Sequence, residues 1–158
     1  MSGIVPYGSW FHYGLFKYCN SSKLLGAKYC YFAMKVINKK LIRDKDYANF
    51  IKLEKRLTQS LEHPFILKLH CSFQCQSKLY LLLDFEGGGT LFSHLKRVSR
   101  FKLDEVRFYA AELILAIAYL HQNKILYRDL KPENVLINQS GHIKLADFGL
   151  SKRFAIKK

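Results

Sequence analysis

ILYRDLKPENVLINQSGHIKLADFGLSK, residues 125–152 of a 158-residue chain, is the stretch on which the fold turns. It carries Asp129, Lys131, Asn134 and Asp147 within fewer than twenty positions, with a strand-like run on each side of a short turn. Val135, Leu136 and Ile137 are apolar, Asn138 to Gly141 has turn chemistry, and Ile143 and Leu145 alternate with His142 and Lys144, which predicts a hairpin. With Ser140 and Gly141 as the two loop residues, Ile137 pairs with Lys144, Leu136 with Leu145, and Asn134 falls opposite Asp147. Directly opposed residues share a face, with Cβ atoms about 4.5–5.5 Å apart. An amide oxygen and a carboxylate would then reach one small volume, which suits Mg²⁺, a hard cation that takes one or two carboxylates and completes its shell with phosphate and water. A wider turn would shift that register by a residue. A solvated surface hairpin is the plainer reading of Asn134 or Asp147 alone. The four groups together read as a phosphoryl-transfer centre.

Composition sets the outer bounds. With 49% hydrophobic and 24% charged residues the chain has the balance of a globular domain with a sizeable core. Twenty-six Lys and Arg against 12 Asp and Glu give a formal net charge of +14, which attracts polyanions. The cations are scattered, and no zinc-finger or RNP-type motif accompanies them, so specific nucleic-acid recognition is not expected and nucleotide phosphates are the simpler target. Cys19, Cys30, Cys71 and Cys75 contain no CxxC pair, which points to reduced thiols in an intracellular protein, in the cytoplasm or alternatively the nucleus. Met1 to Trp10 lacks the basic-then-apolar pattern of a signal peptide. The most apolar helical stretch, Ala110 to Leu120, is interrupted by Glu112 and falls short of the ~20 residues of a membrane span.

Upstream, Gly3, Gly8, Gly14 and Gly26 fit strand ends and tight turns, yet no GxGxxG is complete: Gly3, Val5 and Gly8 keep two of three positions, and Ser9, Phe11 and Gly14 keep only the last. In Tyr29 to Ile37 the alternation puts Lys35 on the same face as Ala33. A lone Lys is also a common solvated device on an edge strand. From Asp44 to Leu61, Tyr47, Phe50, Ile51, Leu57 and Leu61 recur at helical spacing and Glu54 lies on that stripe. A carboxylate there needs a cationic partner, for which Lys35 is the candidate, unless it reaches water at the stripe's edge. His63 and Pro64 break the helix, and Phe65–Phe73 and Leu79–Phe85 are expected strands. Glu86-Gly87-Gly88-Gly89 is the expected domain boundary, because three glycines relax the chain there. Thr90 caps a helix reaching Arg97, and Leu103–His121 is a second helix with Phe108, Leu113, Ile117 and Leu120 on its buried side.

YRDLKPEN (127–134) followed by DFG (147–149) resembles the eukaryotic protein kinases, and the full run through Lys152 resembles the AGC group, especially its ribosomal-protein kinase branch. FAMKV, HPFILKLH, KLYLLLDF and GGTLFSHL fit the same group in the same order, so the resemblance covers Tyr29 to Phe154. It implies an α+β fold: a small, mostly antiparallel β N-lobe with one key helix (1–84), a hinge (85–89), and the first part of a mainly helical C-lobe (90–158) ending in the activation segment. It also implies ATP and Mg²⁺ as cofactors. Lys35 would bind the α- and β-phosphates and Glu54 would hold Lys35. Ala33 and Leu136 would sandwich the adenine, with Leu83 as gatekeeper and Asp84 and Glu86 in the hinge. Asp129 would accept or orient the proton of the substrate hydroxyl, Lys131 would neutralise the γ-phosphate, and Asn134 and Asp147 would hold two Mg²⁺ ions. The KPE run resembles serine/threonine kinases, so a protein hydroxyl is the implied acceptor, and an upstream activating kinase is implied for a full-length form.

The chain departs from that pattern in places. The glycine-rich loop is degenerate, Tyr127 replaces the commoner His, Thr58 stands where the group has an apolar residue, and Thr90 where many relatives have an acid. The chain stops shortly after DFG, before the APE motif, so the 158 residues by themselves are expected to transfer little phosphate. Three readings follow: a serine/threonine kinase present as an incomplete domain, a catalytically silent nucleotide-binding or regulatory module, and a polyanion-binding protein driven by its charge.

Overall fold

Alternation in Tyr29–Asn38 organises the first sheet. The computed structural model describes residues 5–6, 12–19, 29–41 and 45–154. Strands β1 (Val5–Pro6), β2 (His12–Cys19), β3 (Tyr29–Asn38), β4 (Leu69–Gln74) and β5 (Lys78–Asp84) form one antiparallel sheet in the order β1-β2-β3-β5-β4. In β3, Lys35 lies between Tyr13 of β2 and Leu81 of β5 and is 2% exposed. The edge-strand reading of this lysine is therefore corrected: β3 is central. Gly14 sits inside β2 opposite Met34 rather than at a strand end, while Gly3, Gly8, Ser9, Phe11 and Gly26 lie outside the described residues.

The chain divides into two compact units, one drawn from Met1–Ala48 and Lys68–Phe85, the other from Asn49–Leu67 and Glu86–Lys158. The sheet belongs to the first. Helix α1 (Lys45–Ser60) enters the second unit at Asn49 and contributes Leu57, and Leu61 follows it, to a core shared with Ile66, Leu120, Ile125 and Leu145. Glu54 is 8% exposed, so it does not reach water at the rim of the stripe. The side chains of Tyr47 and Phe50 lie outside the described residues. The Thr58 hydroxyl donates to the Glu54 carbonyl oxygen at 2.7 Å, the back-bond by which Thr is accommodated inside a helix.

The strand expected from Phe65 begins only at Leu69, because the preceding backbone is bonded elsewhere: Leu67 N–H donates to the Leu145 carbonyl at 2.9 Å and Leu145 N–H to the Phe65 carbonyl at 2.8 Å. Helix α2 (Leu91–Val98) starts where Thr90 predicts, its Oγ1 accepting from Ser93 N–H at 3.0 Å while Ser93 Oγ accepts from Thr90 N–H at 3.2 Å. Helix α3 (Leu103–Gln122) buries Glu112, Ala116 and Leu120 at i, i+4, i+8. Phe108 is 44% exposed and does not belong to the buried side expected for it; its ring lies against His142, 5.6 Å between centroids.

The chain then forms β6 (Ile125–Leu126), a 3₁₀ turn (Pro132–Asn134), β7 (Val135–Ile137), β8 (Ile143–Leu145) and β9 (Lys152–Arg153). The β7–β8 hairpin exists, but its register is Val135↔Leu145, Leu136↔Lys144, Ile137↔Ile143. Asn134 is thus opposite Ala146, whose N–H donates to its carbonyl at 2.9 Å, and not opposite Asp147. The loop holds three residues rather than two. Asn138 Oδ1 accepts from Ser140 N–H, Ser140 Oγ and His142 N–H, each at 2.9 Å, and Gly141 takes a left-handed φ of 86°. That is the three-residue hairpin closed by a glycine bulge.

Both outer edges of this hairpin are occupied. Ile137 of β7 exchanges backbone bonds with Gly88 (2.9 Å) and Gly89 (2.8 Å). A Cβ on Gly88 would meet the Ile137 carbonyl oxygen at 2.5 Å, so the close approach requires glycine here. Two of the three glycines are accordingly fastened to β7. Along β8, Ile143 N–H is met by the Glu112 carboxylate and Leu145 by Phe65 and Leu67. Among the described residues no helix is long and apolar enough to cross a membrane.

Candidate active site

The loop between β6 and β7 is shaped before any side chain acts. β6 pairs with β9, Ile125 to Arg153 and Leu126 to Lys152, which brings the two ends of residues 127–151 together. Inside that closure the buried Tyr127 donates its hydroxyl to the Ala146 carbonyl, and its ring meets Phe148 edge to face at 5.3 Å. Ser151 Oγ donates to the Tyr127 carbonyl at 3.2 Å, and Arg128 Nε to the Leu150 carbonyl at 2.7 Å. Residues 127–128 and 146–151 are thereby held as one body.

Two left-handed backbone positions aim the acids. Arg128, immediately before Asp129, has φ 68°, and Asp147 itself has φ 57°. Such conformations in non-glycine residues cost about 1–3 kcal/mol each and persist where surrounding bonds enforce them. At Asp147 the chain leaves the strand alternation, so its orientation does not follow from hairpin register. Its Oδ1 accepts from Gly149 N–H at 3.2 Å.

Asp129, Lys131 and Asn134 form one hydrogen-bonded cluster. Lys131 Nζ donates to both carboxylate oxygens of Asp129, at 3.1 and 2.8 Å. Asn134 Nδ2 donates to Asp129 Oδ2 at 2.8 Å and to the Asp129 carbonyl at 3.0 Å. The Pro132–Asn134 turn, closed by Asn134 N–H to the Lys131 carbonyl at 3.0 Å, produces this return. With Nδ2 donating to Asp129, Oδ1 is the atom of Asn134 that could hold a hard cation. The donor set, one amide oxygen and one carboxylate, fits Mg²⁺ that retains phosphate and water ligands; among the described residues no group of three or more His, Cys, Asp or Glu forms a closed metal cage.

The electrostatics are consistent. The Lys131 pKa is raised, first by its hydrogen bond to Asp129, then by the charges of Asp129, Asp147 and Glu133. Tyr127 is held neutral far above the ordinary tyrosine range by burial, then by the charges of Asp147 and Asp129. Both carboxylates thus favour the protonated forms of the same two groups.

The first unit groups its own set. Ala33 lies directly opposite Leu83, and Lys35 opposite Leu81, so these four share a face of the β3–β5 pair. Asp84 Oδ1 is 2.6 Å from His70 Nε2 and its Oδ2 accepts from Lys68 N–H at 3.2 Å, so its side chain is engaged within the sheet. Glu86 begins the second unit's second segment, and Leu136 sits in β7, bridged to Thr90. Sequence reasoning missed three groups: His70 on Asp84, His142, and Glu112, which it read only as an interruption of an apolar run. The signal for Glu112 was its place on the buried stripe of α3.

Acid, lysine and asparagine on one turn, a hairpin followed by a left-handed aspartate, and a lysine buried in a five-stranded sheet are the features of a protein-kinase fold. The family model described as "Protein kinase domain" matches residues 20–158. Protein kinase 2 of Dictyostelium discoideum is 52% identical over 122 residues, 77% of this chain and 26% of that protein. The cAMP-dependent protein kinase catalytic subunit of the same organism is 46% identical over 124 residues, 78% of this chain and 19% of that protein. Human ribosomal protein S6 kinase alpha-3 is 50% identical over 121 residues, 77% of this chain and 16% of that protein. The chain belongs to the protein kinase domain family, among its AGC-group serine/threonine members. It spans about a quarter or less of the length of these relatives. The family uses ATP and Mg²⁺.

Proposed function

We propose that this chain forms the nucleotide-binding and catalytic-loop portion of a serine/threonine protein kinase, which transfers the γ-phosphate of ATP to a hydroxyl of a protein substrate. The carrying observation is the Asp129–Lys131–Asn134 cluster, in which one carboxylate accepts from both neighbours. Phosphoryl transfer depends on positioning and on neutralising charge, and calls for this combination of one oriented carboxylate, fixed cations and oxygen ligands.

In this reading Lys35 binds the α- and β-phosphates and Glu54 holds it; both are buried charges, which need an opposite charge or hydrogen bonds to be tolerated. Ala33 and Leu136 enclose the adenine, with Leu83 behind it and Asp84 and Glu86 meeting its edge. Asp129 accepts or orients the hydroxyl proton and Lys131 neutralises the transferring phosphate. Asn134 Oδ1 and the Asp147 carboxylate hold Mg²⁺, which when bound screens the phosphate charge. The unbridged thiols of Cys71 and Cys75 suit a reducing intracellular setting. An upstream activating kinase belongs to the same proposal, by analogy with the group.

The test is nucleotide binding and phosphate transfer by the purified protein, with and without Mg²⁺. Saturable Mg²⁺-dependent ATP binding, lost in Lys35→Met, supports the proposal, and any transfer the 158 residues show is expected to be lost in Asp129→Asn. Nucleotide binding with little transfer is what the incomplete domain by itself is expected to give; a 158-residue protein that is abundant in cells, binds nucleotide and transfers no phosphate selects the silent regulatory module. Binding of nucleic acid with a steep salt dependence, and none of ATP, selects the polyanion binder.

A further inference from the structure

Glu112 is the one acid on the buried stripe of α3, one turn before Ala116, and it is 6% exposed. A carboxylate at such a position is disfavoured unless its oxygens are bonded. Both are. Oε1 lies 2.5 Å from His142 Nδ1, and Oε2 accepts from the backbone N–H of Ile143 at 2.9 Å. The His142 ring is set between Phe65 and Phe108, with centroids 6.3 and 5.6 Å away, so the imidazole is steered toward the carboxylate from two sides.

The place of these bonds in the hairpin gives them their meaning. Asn138 N–H bonds to the His142 carbonyl and Ala146 N–H to the Asn134 carbonyl, so the hydrogen-bonded pairs of the ladder are 138↔142, 136↔144 and 134↔146. Ile143 and Leu145 therefore turn their N–H groups outward, away from β7. Leu145 is met there by the Phe65 carbonyl, and Ile143, among the described residues, by Glu112 alone. β8 has three residues, and Asp147 follows two residues after its end. A strand this short takes its position along the helix from its outer-edge bonds, and a displacement at Ile143 is carried to Asp147 four residues on.

We propose that Glu112 is a positioning residue for Asp147: by holding the outer edge of β8 at Ile143 and His142, the α3 carboxylate sets where the metal-binding aspartate stands. The inference rests on the assignment of Asp147 as a Mg²⁺ ligand. It does not make Glu112 a catalytic residue.

The experiment measures nucleotide affinity as a function of Mg²⁺ concentration, and separately without metal, for the parent and for Asp147→Asn, Glu112→Ala, Glu112→Asp, Glu112→Gln and Leu120→Val. Leu120→Val loosens the same helix stripe and the core it shares with β8 without removing a hydrogen bond from the hairpin edge. Glu112→Ala is expected to raise the Mg²⁺ concentration for half-maximal effect about tenfold, the lower end of what loss of an outer-shell partner does to metal affinity, with metal-free affinity unchanged. Glu112→Asp, one methylene shorter, shifts in the same direction and covers the case in which the alanine variant does not fold. Glu112→Gln keeps an oxygen for Ile143 and should stay within about threefold of the parent, less than the tenfold effect. A Mg²⁺ dependence unchanged in Glu112→Ala and Glu112→Asp, or an equal shift in Leu120→Val, overturns the proposal while Asp147→Asn still abolishes the Mg²⁺ effect. If Asp147→Asn leaves the Mg²⁺ effect intact, the assignment of Asp147 has failed, and this inference fails with it.

Discussion

The ammonium of Lys131 stands 2.8 Å from one carboxylate oxygen of Asp129 and 3.1 Å from the other, while the Asn134 amide approaches the nearer of the two from a different element of the same turn. The carboxylate is therefore fixed in rotation by two donors before any substrate arrives. This bears on catalysis more than on folding, because the lysine side chain is half exposed and an exposed ion pair adds little stability. Asp129→Asn should lower whatever phosphate transfer the protein shows by about 10²–10⁴-fold, the usual contribution of a positioned acid or base. Nucleotide affinity and the thermal midpoint should hold. Equal losses of affinity and rate in a titration and a transfer assay would contradict the assignment.

Gly88 offers a sharper test of packing. An added Cβ meets the Ile137 carbonyl oxygen at 2.5 Å and its carbonyl carbon at 3.0 Å, both backbone atoms that cannot swing aside. Gly88→Ala should destabilise by about 1–3 kcal/mol, the cost of overpacking, in urea unfolding. At Gly141 nothing lies within 4 Å of the added atom, so Gly141→Ala should cost about 1–2 kcal/mol, and only through its left-handed backbone.

Tyr127 should make stability sensitive to alkaline pH. Burial, reinforced by Asp147 and Asp129, raises its folded-state pKa above the ordinary 10.0. In the unfolded chain the phenol ionises near that ordinary value, whereas the folded protein keeps its proton. The group's contribution is thus full below pH 10 and is lost as pH rises from there toward the folded-state value. Denaturant midpoints measured between pH 8 and about 11 should fall more steeply for the parent than for Tyr127→Phe. At neutral pH the phenylalanine variant should lose about 1 kcal/mol, from the missing bond to Ala146 and the carbonyl left without it.

Cys75 should be the more informative of the two exposed described cysteines. Hydrogen bonds from Ser77, side chain first and then backbone, with Lys78 and Tyr80 adding to them, bring its pKa down to about 7. Alkylation followed by site-resolved mass spectrometry should show a pH midpoint near that value, and Ser77→Ala should move the midpoint upward. A midpoint at the ordinary thiol value in the parent would exclude the Ser77 interaction in solution.

Much of this site was legible in the sequence because its chemistry is local. Asp129, Lys131 and Asn134 lie within six positions, and a Pro-initiated turn can bring them together with no help from distant segments. The Thr90 cap was legible for the same reason: its partner Ser93 is three residues away. The hairpin was legible but its register was not. Three bonds to the Asn138 side chain widened the loop to three residues and moved Asp147 out of line with Asn134. Burial of Lys35 depended on β2, a strand in a stretch whose glycine pattern is degenerate. Phe108 was assigned inward by spacing, whereas the buried stripe of α3 is occupied from Glu112 onward.

By itself, then, the sequence determined the kind of protein this is: side chains of the right chemistry at short spacing, whose mutual reach is set by turns of a few residues. The tertiary structure decided what surrounds them. It placed β3 in the middle of its sheet, fastened Gly88 and Gly89 to Ile137, and set Glu112 against an N–H 31 positions away in the chain. Contacts of that kind exist only after helix and hairpin have packed, because the bond satisfies a backbone group that the hairpin ladder leaves facing outward, and no local pattern records which distant side chain will meet it.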